Sequence, residues 1–285
     1  MAERVTIHEV SPRDGLQNEP RAIPTADKIR LIDLLSACGF SHIEATSFVS
    51  PQRVPQMADA AQVLRGIRRA RGTSYAALTP NLQGFERALE AGADEVAVFA
   101  SASEGFSQRN IACSIAESLD RFRPVLAAAR AAGVPVRGYV SCVTDCPYDG
   151  PVAPQAVARV AQALVDLGCR QVSLGDTIGA ATPGTLTPML EAVLERIPAT
   201  RLAGHYHDTG GRALENIRTS LAHGMRAFDS SAGGLGGCPF APGARGNVAT
   251  EAVVEMLHGM GFATGIDPAR LDEAADFARK LRSER

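Results

Sequence analysis

Short apolar runs alternate with longer stretches of helical periodicity along nearly the whole chain. The runs at 4–10, 41–48, 74–78, 95–100, 134–141, 171–174, 202–206 and 226–230 have the length and alternation of strands. Each precedes a segment that reads as a helix, at 26–38, 55–69, 81–91, 114–132, 154–167, 183–196, 213–223 and 247–260. A further helix at about 268–280 stands outside the repeat. Gly39, Gly92, Gly133, Gly168 and Gly224 fall where helices should end before the next strand. Eight strand–helix units in this length predict a closed (β/α)8 TIM barrel rather than an open doubly wound sheet. No Gly-x-Gly-x-x-Gly follows the first strand, which argues against a dinucleotide-binding sheet. No Pro/Ser-rich linker interrupts the pattern. The expectation is one domain over 1–285, with the barrel at about 4–260 and the added helix at about 268–281.

Composition narrows the class. A 285-residue chain that is 45% hydrophobic can build a core without disulfide or metal staples. Its formal net charge of −2 implies no nucleic-acid or membrane surface. No apolar run reaches the length of a membrane span. The first residues lead directly into a strand pattern, so no signal or transit peptide is expected. The six cysteines are scattered without zinc-finger spacing, and Cys142 and Cys146 alone are close enough to give a weak metal signal. Reduced cysteines and a cytoplasmic location are expected.

The segment 233–247 holds six glycines, two prolines, Cys238 and Asn247. Such a backbone forbids regular structure, and a thiol within it reads as part of a working loop. A barrel gathers its chemistry at the C-terminal ends of its strands. Arg13 and Asp14 follow the first strand, Glu44 lies on the second, Ser173 and Asp176 on the sixth, and His205 and His207 on the seventh. The eighth leads into the glycine segment. His205 and His207, two apart on a strand, share one face. With Asp14 and Asn247 they offer two nitrogens and two oxygens, a set suited to Mg2+ or Mn2+, with zinc as the alternative. Each residue also has a plain structural use. Asp14 could cap a turn, Asn247 could be a helix N-cap, and Arg13 could pair with Glu44 or Glu19. Asp208 could brace a histidine or cap the next helix. His8, His42, His223 and His258 lack comparable company and read as structural.

The segments Ser11-Pro12-Arg13-Asp14-Gly15-Leu16-Gln17-Asn18-Glu19, Ile43 to Pro51, Arg137 to Cys142, Ser173 to Gly179, His205 to Thr209 and the glycine segment through Glu251 closely resemble the 3-hydroxy-3-methylglutaryl-CoA lyase family. The likeness covers essentially the whole chain, and the glycine segment is its most specific part. It implies cleavage of the CoA thioester to acetyl-CoA and acetoacetate, with a divalent metal, Mg2+ or Mn2+. By motif, Asp14, His205, His207 and Asn247 look like the metal ligands, Arg13 the substrate-binding catalytic arginine, and Cys238 the catalytic cysteine. Glu44 and Asp176 match acidic active-site positions. With His205 they are the candidate bases, and Ser173 joins Arg13 and Glu44 as substrate-binding. A homodimer is the usual assembly. The chain departs from the family's common residues at Tyr206, Gly210, Arg212 and Arg245. Two other readings use the same groups: a condensing enzyme of the isopropylmalate or homocitrate synthase type, and a relative that binds metal or CoA without turnover.

Overall fold

A computed structural model describes residues 2–237 and 246–283. The eight expected strands are Thr6–Glu9, His42–Ser47, Ser74–Leu78, Glu95–Ser101, Val136–Ser141, Gln171–Asp176, Leu202–Tyr206 and Ala227–Ser230. They run parallel and close into a barrel in sequence order. The first strand meets the eighth in the register Thr6↔Ala227 to Glu9↔Ser230. Side-chain alternation divides each strand between two environments. Ile7, Ile43, Val98, Val140, Leu174 and Phe228 face outward and form the main core with the helices. The inward positions hold only a small apolar cluster of Leu78, Ala97 and Tyr139, with Phe99 against it. Branched apolar residues usually fill a barrel interior. Here the strands also contribute buried Glu44, Glu95, Arg137, Ser173, His205 and Asp229.

Eight helices follow the strands as the periodicity requires, from Thr25–Ser36 to Thr250–Gly259. The helix Pro268–Ser283 packs against Thr25–Ser36 and crosses near the seam between the first and eighth strands. All five helix-ending glycines have positive φ. Three details differ from the sequence pattern. The second helix is broken into a single turn, Pro55–Met57, and Ala60–Gly66. An extra helix, Glu104–Ile111, starts at Ser103, whose hydroxyl accepts from Phe106 N–H. Its polar surface gave no apolar stripe to read. A hairpin pairs Asp145–Cys146 with Gly150–Pro151 above the fifth strand. Cys38, Cys113, Cys142, Cys146 and Cys169 are free thiols.

Two of the helix-ending glycines separate the cost of a left-handed backbone from that of close approach. Gly133 has φ +70° and open space where a Cβ would stand, whereas at Gly39, with φ +95°, a Cβ would lie 2.5 Å from Gly265 O. Gly133→Ala is expected to cost about 1 kcal/mol. Gly39→Ala should cost about 2 kcal/mol more, because the segment before the last helix must shift. Urea unfolding of the two variants measures the difference. Equal losses would show that the Gly39–Gly265 approach yields without strain.

Candidate active site and metal centre

The first strand ends in a wide turn, Ser11–Gly15, in which Val10 O accepts from the N–H groups of Arg13, Asp14 and Gly15. This turn brings Arg13 and Asp14 to the barrel mouth. His205 and His207 reach the same place from the seventh strand and the residue beyond it. One donor atom each of Asp14, His205 and His207 fits within 4.8 Å of the others. Asn247 joins them across the chain. Its Nδ2 donates to Asp14 Oδ2 at 2.7 Å and to Leu235 O at 3.2 Å, and its backbone bridges to His207. The helix that follows begins at Thr250 with Ala249 at its N-cap, so Asn247 is neither helical nor a cap.

These donors fit a hard or borderline divalent cation. His207 Nδ1 is buried with no hydrogen-bond partner among the described residues. Burial, then the neighbouring His205, pushes its pKa down to about 4, so the ring is neutral with a lone pair to give. Burial opposes the Asp14 charge, yet Arg13 and the two imidazoles hold its carboxyl at about 2. Asn247 carries a donor on one arm of its amide and an acceptor on the other. It can therefore serve a carboxylate or lend oxygen to a cation.

Behind the ligand set runs a chain of paired charges. Arg13 donates to Glu44 Oε2 from Nε at 2.8 Å and Nη2 at 2.6 Å, and from Nη1 to Asp14 Oδ1. Its partner is thus Glu44 rather than Glu19. Tyr139 donates to the same Glu44 oxygen at 3.1 Å and accepts from Arg137 Nη1 at 2.9 Å. Arg137 Nη2 reaches Asp229 Oδ1 at 2.6 Å. Asp229 Oδ2 accepts from Ser173 Oγ at 2.8 Å and stands 3.1 Å from His205 Nδ1. Burial lowers the pKa of His205, but Asp229 and Asp14 together outweigh it, and the net shift is upward. The carboxylate fixes Nδ1 as the protonated nitrogen and leaves Nε2, 3.9 Å from Asp14 Oδ2, as the nitrogen that could meet a cation. Burial raises Glu44 despite Arg13 beside it, and its Oε1 has no partner among the described residues.

Two expected site residues stand elsewhere. Ser173 is fully buried beneath the site, with its hydroxyl committed to Asp229 rather than to a substrate. Asp176 continues the outward row of Val172 and Leu174. Its carboxylate accepts from the N–H groups of Ala180 and Ala181, and burial moves its pKa up to about 6. It braces the loop after the sixth strand and does not line the cavity. Asp208 accepts from Ala213 N–H at the start of a helix. Asp229, not Asp208, braces His205. Asp229, Arg137 and Tyr139 escaped sequence reading, though each is a polar residue on the inward alternation of an apolar strand. His8 and His42 stack at 4.4 Å in the lower barrel, away from the mouth. Cys238 and Arg245 lie outside the described residues.

Arg13, Asp14, His205 and His207 line a cavity of about 580 Å3. Leu78, Phe99, Phe106 and Ile111 give it an apolar wall, and Arg53, Arg121 and Asn110 add polar groups. The site can bind a divalent ion, face it with a fixed guanidinium, and hold an acyl chain beside both. The HMGL-like family model matches residues 4–278. The 3-hydroxy-3-isohexenylglutaryl-CoA/hydroxy-methylglutaryl-CoA lyase of Pseudomonas aeruginosa is 59% identical over 96% of this chain and 91% of its own. The crystal structure of HMG-CoA lyase from Brucella melitensis superposes with a TM-score of 0.99 at 64% identity, over 99% of this chain and 100% of that one. An HMG-CoA lyase from Acinetobacter baumannii, solved in complex with coenzyme A and 3-methylmalate, has a TM-score of 0.92 at 38% identity, over 98% and 91%. On this match the chain belongs to the HMGL-like family.

Proposed function

We propose that this chain is a divalent-metal-dependent carbon–carbon lyase that cleaves 3-hydroxy-3-methylglutaryl-CoA to acetyl-CoA and acetoacetate. The observation that carries the reading is the meeting of Arg13 with Asp14, His205 and His207 on one cavity, in a chain whose similar proteins bear that activity in their names. Asp14, His205, His207 and Asn247 are the residues that would hold Mg2+ or Mn2+. When bound, such an ion supplies Lewis-acid polarisation of substrate oxygens.

Cleavage needs the tertiary hydroxyl proton removed, the bond to the acetyl carbon broken, and a proton returned to that carbon. Of the three candidate bases only His205 lines the cavity, and it can take that proton only while its Nε2 is not given to the cation, because Nδ1 is protonated toward Asp229. Glu44 acts through Arg13, which it holds with two hydrogen bonds. The bond pair leaves as the enolate of acetyl-CoA. Arg13, locked in plane by Glu44 and Asp14, presents fixed positive charge to that developing oxyanion without reorganising. The enolate carbon then takes a proton from the thiol of Cys238, which would serve as a general acid. The reading takes 1–285 as one lyase domain. It includes a cytoplasmic homodimer, to be checked by cell fractionation and light scattering.

Acetoacetate formation from the thioester should stop with chelator and return with Mn2+ or Mg2+. His207→Ala should weaken Mn2+ binding by about tenfold or more in direct titration. Full turnover in chelator would end the metal-dependent reading. Arg13→Lys should lower kcat by about a hundredfold or more with little change in KM, since a point charge does not replace the forked guanidinium. An intact kcat would remove Arg13 from the enolate step. Cys238→Ser should lower kcat by about a hundredfold or more, from loss of a positioned acid. Wild-type acetyl-CoA release by that variant would assign the proton to another group.

A further inference from the structure

Glu9 ends the first strand, is fully buried, and has no part in the chemistry above. Alternation turns it outward with Ile7, to the seam where the first and eighth strands meet. Both of its oxygens are engaged. Oε1 accepts from the backbone N–H of Ser11 at 2.8 Å and of Ala232 at 3.0 Å. Oε2 accepts from the Thr250 hydroxyl at 2.7 Å. Each donor belongs to a different segment. Ser11 opens the turn that presents Arg13 and Asp14. Ala232 lies just past the eighth strand. Thr250 is the first residue of its helix, three positions after Asn247. A buried carboxylate satisfied only by neutral donors is an unfavourable choice for a packing residue. It is a good choice where one small group must accept from three directions.

We propose that Glu9 is a positioning residue of the metal centre. It ties the Asp14 turn to the run that carries Asn247, and so sets the spacing of two ligands drawn from opposite ends of the sequence. This rests on the metal-site reading above. Backbone contacts alone hold Ser231 to Val248 and Thr250, and Val10 to Ser230. None of them reaches the Ser11 turn and the Asn247 run together.

The test compares the full-length parent, Glu9→Ala, Glu9→Gln and Thr250→Val, using Mn2+ titration and amide hydrogen exchange. Glu9→Ala should bind Mn2+ at least about tenfold more weakly. Its exchange should rise at Ser11–Gly15 and Ala232–Gly234 before it rises in Val136–Ser141 on the opposite wall. Glu9→Gln keeps an oxygen for both N–H groups and offers an N–H to Thr250, so it should remain within about threefold of the parent. A folded Glu9→Ala with parent affinity would overturn the inference. So would exchange rising evenly around the barrel, or a Glu9→Gln no better than Glu9→Ala. If Glu9→Ala does not fold, Thr250→Val removes one tether, and unchanged Mn2+ affinity in it counts against the role. A parent that binds no Mn2+ refutes the metal reading instead, and the exchange measurements then decide the role of Glu9 alone.

Discussion

A guanidinium removed from water must keep negative charge beside it, and Arg13 is only 5% exposed. Much of the barrel interior follows from that requirement. Glu44 takes two of its hydrogen bonds and Asp14 a third. Glu44 then needs Tyr139, Tyr139 leans on Arg137, and Arg137 is neutralised by Asp229. Asp229 in turn fixes the ring of His205. Signs alternate along the whole path, so no charge is stranded. Removing one partner from such a pair costs roughly 3–5 kcal/mol, because the other is left buried and alone. The interior is therefore less adaptable than an apolar barrel core, and it delivers Arg13 and His205 in single orientations.

The architecture was largely legible in the sequence, because strand alternation and helix punctuation are local signals. Ser74–Leu78 and Leu202–Tyr206 fall where the pattern puts them. The meeting of Asp14 with His205 and His207 was also legible, since a barrel that closes in order makes the first, seventh and eighth strands neighbours. The supporting groups were not. Asp229, Arg137 and Tyr139 come from different strands, and which of them touch depends on stagger that no single segment encodes. The opposite placement of two expected site residues had its signal in the sequence. Ser173 and Asp176 are three apart on a strand and so face opposite sides. They could not both have lined the site. The helix Glu104–Ile111 was hidden because its residues are mostly polar, and its start depends on the Ser103 cap.

Two buried acids close to the mouth show how environment assigns role. Asp14 is surrounded by cationic and imidazole groups and stays ionised. Asp176 has two backbone N–H groups and burial, and serves the shape of a loop. Both are aspartates at the C-terminal end of a barrel strand, Asp14 in the turn beyond it and Asp176 as its last residue.

The seam joins residues from the two ends of the sequence: Thr6 pairs with Ala227, and Arg4 with Ala263. During synthesis the first seven strands leave the ribosome with both sheet edges open, and neither edge can be covered until the eighth has emerged. The proposed ligand set is completed later still, since Asn247 meets Asp14 only across that seam. A truncated or stalled chain thus holds His205 and His207 without the contact between Asn247 and Asp14. Completion of the barrel mouth becomes a property of the finished molecule and is withheld from its nascent forms.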